Sequence, residues 1–169
     1  MAESADFQDK FFSFYEDIIK HELPEDIAFD EKRDPRTERP LAPPSPDATS
    51  EEIEVFLHRF EEEVKYCGEL MQRHFHRKVC FKYGHTSCRF NFPHEYVPRS
   101  YYDKETQSVI TLCRDVLVNY FNDYVMVYCR HNHDMKCILS GKSCKAAMYY
   151  ITDYITKMNL KMYEILSLM

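Results

Sequence analysis

Tyr150 and Tyr154 stand four residues apart, with Lys157 three further on, in a segment whose pattern predicts a helix. That spacing sets both phenols on one helical face, where each can attack a phosphodiester in turn while the lysine neutralises phosphate. The chemistry would be DNA strand transfer through a covalent phosphotyrosine, which conserves the energy of the broken bond. The plainer reading is an aromatic core stripe, because the chain has 13 tyrosines and the pairs Tyr120/Tyr124 and Tyr124/Tyr128 share the interval.

A second constellation is denser. His74, His76, Cys80 and Cys88 fall within fifteen residues and supply four borderline or soft ligands, the set that tetrahedral Zn²⁺ takes, and Gly84 lets the chain reverse toward Cys88. A structural zinc site is the favoured expectation, with His85 or Cys67 able to replace one ligand. The alternatives are a buried thiol pair beside surface histidines, or a catalytic His-x-His pair on a strand that holds the divalent ion of an HUH nuclease.

Composition frames both. At 169 residues and 44% hydrophobic, the chain is long enough for one core, and no apolar run reaches membrane-spanning length. No secretory leader is legible at the N-terminus, and seven cysteines are an odd number, so reduced thiols or metal ligands are expected rather than a disulfide framework. The net charge of -6 hides a division: residues 1–66 carry 19 acidic and 8 basic side chains, residues 67–169 carry 9 acidic and 14 basic, and six of the eight histidines lie in the second half. A basic, aromatic-rich half suits a phosphate backbone, though it equally describes a solvated surface.

The elements that must position these groups read as α+β. Residues 1–23 predict an amphipathic helix bearing Phe11, Phe12, Tyr15, Ile18 and Ile19. Residues 24–50, with six prolines, form an acidic linker or extended strap. A domain spans 51–169. It opens with a helix to about Arg73 capped by Ser50, with Ile53, Phe56, Leu57, Phe60, Val64 and Leu70 on one side. The Cys/His block at 74–93 follows, then a small antiparallel sheet from 108–114, 124–130 and 135–139, and a tyrosine-bearing helix over 143–165.

Several blocks in order, CFKYG (80–84), CRFNFP (88–93), RHNHD (130–134), ILSGK (138–142) and YYITDYITK (149–157), resemble the replication-initiator region of Helitron transposases, especially the fungal ones; DPRTERP (34–40) resembles its lead-in. The resemblance implies a rolling-circle enzyme in which an HUH endonuclease nicks DNA and is joined to it through tyrosine before a helicase unwinds the strand. Tyr150 and Tyr154 then match the paired nucleophiles, Lys157 the basic residue after them, and the His/Cys block a zinc-binding element. It also implies single-stranded DNA as partner, Mg²⁺ or Mn²⁺ in the intact nuclease, and a nuclear location.

The departures shape the expectation. The family's nuclease histidines lie N-terminal to everything matched here, and no helicase motif follows, so the chain is expected to be a fragment lacking both parts and unable to nick DNA alone. A non-catalytic alternative is a zinc-containing DNA-binding remnant that holds the backbone through Arg89, Lys142, Lys145, Lys157 and Lys161.

Overall fold

The computed structural model describes residues 2–84, 86–138, 144–154 and 156, with side chains from residue 6 onward. The fold class is α+β, with helices and one small two-stranded antiparallel sheet. The chain divides into two compact units, residues 1–101 with 111–136, and residues 102–110 with 137–169.

In the first unit, α1 (Ala2–Ile18) is followed by an irregular stretch containing a 3₁₀ turn at Pro35–Thr37, then by α2 (Ser50–Met71). The cap of α2 lies one residue before the expected Ser50. Thr49 accepts from the Glu52 N–H at 3.3 Å, and Glu52 accepts from the Thr49 N–H at 2.8 Å, a capping box that satisfies two orphan donors. The buried face is also rotated: Phe60, Val64, Cys67 and Met71 face the core, while Ile53, Leu57 and Leu70 are exposed.

That face meets Leu23, Val118 and Phe121, and α3 (Asp123–Cys129) through Met126 and Val127. Residues 124–130 were expected as a strand on their β-branched and aromatic content. They are helical because Asn122 caps the start, accepting from the Val125 N–H at 3.1 Å, and because Met126 and Val127 must reach one core face together. Arg130 ends α3 in the left-handed region, φ 51° and ψ 46°. Residues 135–138 form no strand, and Leu139 lies outside the described residues.

Within the first unit the N-terminal segment packs against residues 111–121. Tyr15 is buried with its hydroxyl 2.8 Å from Thr111 Oγ1, and Lys20 and Phe121 exchange backbone hydrogen bonds of 2.8 and 3.1 Å. His21, just beyond, is 1% exposed, lies against Tyr120 and His94, and finds no side-chain hydrogen-bond partner among the described residues. Burial pushes its pKa down to about 4, and burial also lowers that of His94. The unfolded chain therefore binds the proton first as pH falls. Stability is complete above about pH 6.5 and declines by about 3 kcal/mol from His21 alone as pH drops toward 4. Urea midpoints followed across that window should fall in the native chain and fall less steeply in His21→Phe, where His94 still titrates; a flat native profile would refute the assignment.

Gly68 lies where Leu23 crosses α2: a Cβ there would sit 2.1 Å from Leu23 Cδ2 and 3.1 Å from its Cγ. On propensity alone Gly→Ala within a helix gains up to about 1 kcal/mol. Here overpacking should reverse the sign, so Gly68→Ala is expected to lose about 1–3 kcal/mol and roughly 5 °C in Tm. A melt at or above the native temperature would show that Leu23 yields freely.

The second unit holds most of a hairpin, β1 (Tyr101–Asp103) with β2 (Ser108–Ile110), shorter than the expected 108–114 strand. Its turn is held by the Asp103 carboxylate, which accepts from the Glu105 N–H at 3.0 Å. Residues 144–154 are helical and carry Tyr150 and Tyr154. No helix among the described residues is long and apolar enough to cross a membrane.

Candidate metal centre and tyrosine face

Past α2 the chain becomes extended, and Arg73 bridges to Val118 while the His74 N–H donates to the Leu117 carbonyl at 2.7 Å. His74 and His76 thus leave a fixed anchor and lie on no strand, unlike the pair of an HUH nuclease. Two short 3₁₀ turns over Lys78–Gly84 are kinked at Phe81–Tyr83, where Tyr83 and Gly84 take φ 60° and 79°. Arg89 N–H donates to the Cys80 carbonyl at 3.0 Å, tying the returning arm to the outgoing one.

This brings all four expected ligands together. The donor atoms of His74, His76, Cys80 and Cys88 lie within 4.8 Å of one another. His74 Nε2 is 3.5 Å from Cys80 Sγ and 3.4 Å from Cys88 Sγ. A tetrahedral ion with bonds of about 2.0 Å to nitrogen and 2.3 Å to sulfur has an N···S edge of roughly 3.5 Å. Donor chemistry and spacing therefore both fit a metal ion.

The electrostatics fit the same occupant. Burial pushes the Cys88 thiol up, but hydrogen bonds at the backbone of Phe92 and Phe90 and one from Cys80 outweigh it, leaving it below the ordinary thiol value. Burial and then the neighbouring His76 hold His74 below the usual histidine range. A thiol inclined to ionise and a neutral imidazole are the forms that ligate. Phe92 seals the inner side, stacked on His74 at 4.1 Å with 3° between the planes.

Of the proposed substitutes, Cys67 is fully buried among Leu23, Phe60 and Val64, and burial pushes its thiol up to about 11. It packs in the core. His85 lies outside the described residues. Arg89 sits on the returning arm with its guanidinium 4.8 Å from the Phe90 ring centroid and 5.9 Å from that of Tyr83.

On the helix at 144–154, the rings of Tyr150 and Tyr154 stack with centroids 6.3 Å apart and are 70% and 60% exposed. They are not a buried core stripe. Lys145 is exposed on the same helix, whereas Lys142, Lys157 and Lys161 lie outside the described residues. No protein-family model, curated protein or solved structure matches the chain.

Proposed function

We propose that the chain belongs to a Helitron-like rolling-circle transposase, with Tyr150 and Tyr154 as its strand-transfer nucleophiles and a zinc ion held by His74, His76, Cys80 and Cys88. The observation that carries this reading is the exposure of two stacked phenols on one helical face, where a core function would bury them. One phenol can hold a cleaved end while its neighbour attacks a second strand. Lys157 and Lys145 supply positive charge along the same sequence segment, and nuclear DNA, single-stranded at the point of attack, is the partner.

Zinc is favoured over a harder ion because two of the four donors are thiols. With four protein donors the coordination sphere is closed, so the site is structural and does not polarise a scissile phosphate, the role that Mg²⁺ or Mn²⁺ fills in an HUH nuclease. Ordinary DNA should accordingly yield no adduct with this chain.

The test supplies the missing activation in the substrate. A random single-stranded oligonucleotide pool carries sulfur at the bridging, leaving position of one phosphate. The phenol oxygen bonds to phosphorus and gives up its proton to solvent, while the P–S bond breaks and a thiolate departs with the electron pair. A covalent adduct is expected on a denaturing gel, and it should disappear in Tyr150→Phe/Tyr154→Phe. An adduct that survives the double substitution, or none on the activated pool, overturns the reading.

One observation favours a second reading, a non-catalytic zinc-containing DNA-binding module: residues 73–94 contain five Lys or Arg and no Asp or Glu. Salt-dependent binding without any adduct would select it.

A further inference from the structure

The surface around the metal cluster has features that a merely structural knuckle does not require. A cleft of about 250 Å³ opens beside it, lined among others by His74, Phe75, Phe90, Phe92, Asn119 and Asn132. Gln72 also lines it. That side chain is 2% exposed and its Oε1 has no hydrogen-bond partner among the described residues, a buried acceptor that an incoming polar edge would satisfy.

Rings continue outward from the cleft as one connected series. Phe81 lies 5.7 Å from His76, His76 5.0 Å from His74, and His74 6.0 Å from Phe90; the Arg89 guanidinium then bridges Phe90 and Tyr83. Phe75, Phe81 and Phe90 are 60%, 44% and 44% exposed, and Tyr83 is 88% exposed. Tyr83 reaches that position with a left-handed backbone, unfavourable by about 1–2 kcal/mol for a residue with a Cβ. Bulky rings held in water at such a cost are out of place unless something covers them.

The charge says what covers them. Arg73 is engaged by Glu69 and Asp115, but no ion pair among the described residues involves Arg77, Lys78, Lys82 or Arg89. Cations without carboxylates, interleaved with exposed rings, complement a polyanion that also offers flat apolar faces. Single-stranded nucleic acid is that polymer, because a duplex hides its base faces in its own stack.

We propose that an unstacked base of a single-stranded nucleic acid enters the cleft beside Phe90 and Asn132, a neighbouring base stacks on Tyr83, and Arg77, Lys82 and Arg89 hold the phosphates. This deepens the DNA-contacting part of the function above and rests on it, but it uses neither Tyr150 nor Tyr154. DNA and RNA share the chemistry.

The metal-loaded full chain is titrated by fluorescence anisotropy with DNA and RNA single strands of roughly 20 nucleotides, the corresponding DNA duplex, and polyglutamate. Single strands should bind at least about tenfold more tightly than duplex or polyglutamate, and the log affinity should fall by about 0.7 per contacted phosphate per unit of log salt. A preference for RNA or for DNA would name the source, and equality would place recognition in the shared parts. Tyr83→Ala and Phe75→Ala should each weaken single-strand binding about tenfold with metal content and melting unchanged. Both rings contact water more than protein, so two independent variants guard against misfolding of either. Absence of binding, duplex or polyglutamate binding as tightly, or unchanged affinity in both variants overturns the proposal. Loss of single-strand binding confined to Tyr150→Phe/Tyr154→Phe, with Tyr83→Ala and Phe75→Ala unaffected, would overturn the cleft while the tyrosine reading stands.

Discussion

Replacing Cys88 with serine is expected to abolish binding of one zinc ion per chain and to unfold residues 77–92, and removal of the metal by a chelator should do the same. The argument is one of supply. Among the described residues, the buried apolar cluster that could hold this segment unaided consists of Cys80, Cys88 and Phe92. Full burial of such side chains contributes about 1.5–3 kcal/mol each, which ordering of so many backbone residues readily offsets at about 1–2 kcal/mol per residue. A structural zinc site contributes apparent free energy on the order of 10 kcal/mol in small finger domains. The packing of α2 against α3 does not involve these residues, so the loss should be local. Amide exchange should therefore rise over 77–92 while protection near Phe60, Val64 and Met126 persists. Cys67→Ser is the contrasting variant. It removes a buried core thiol and should lower the melt while keeping the metal. Full metal content in Cys88→Ser, or exchange indifferent to chelation, would refute a structural ion here.

What could be read in advance follows from how local each signal is. The four ligands of the metal cluster are legible because they lie within fifteen residues, and chain reversal at Gly84 is written in the sequence. The α2 helix is legible for the same reason. Its cap falls on Thr49 rather than the chemically equivalent Ser50, and its face keeps Phe60 and Val64 but turns Ile53, Leu57 and Leu70 outward because Leu23 and Phe121, from distant segments, choose it. The error at 124–130 has a similar cause. Val125, Val127 and Tyr128 prefer strands in isolation, but Asn122 and the need to bury Met126 and Val127 together override that preference. Nothing local announces that Phe92 stacks on His74 or that His21 is buried against His94. Those contacts link residues 18 and 73 positions apart to one region through the chain's path.

Glu63→Ala is expected to lose about 3–5 kcal/mol, a large part of the roughly 5–15 kcal/mol typical of a domain. The Glu63 carboxylate on α2 is 10% exposed and accepts from Arg130 Nη2 at 2.9 Å and from Arg33. Arg130, itself 8% exposed, spends its other donors on carbonyls: Pro35, Glu38 at 2.8 Å, Arg39 at 3.3 Å and Val127 at 3.2 Å. One guanidinium thus fastens the proline-rich strap to α2 and α3. Deleting the carboxylate strands a buried cation, whereas Arg33 can turn to Glu38, 2.7 Å away, and remain paired. The asymmetry is testable by a double-mutant cycle in urea. Arg130→Met/Glu63→Leu should lose markedly less than the sum of the single changes, with a coupling of at least about 2 kcal/mol. A loss below about 1 kcal/mol in Glu63→Ala would show the pair to be solvated in effect. The consequence extends past stability. Arg130 is also the residue whose left-handed backbone turns the chain from α3 toward Asn132, which lines the cleft beside the metal cluster. Loosening the Glu63 clasp should therefore weaken single-strand binding even under conditions where the variant remains folded and metal-loaded.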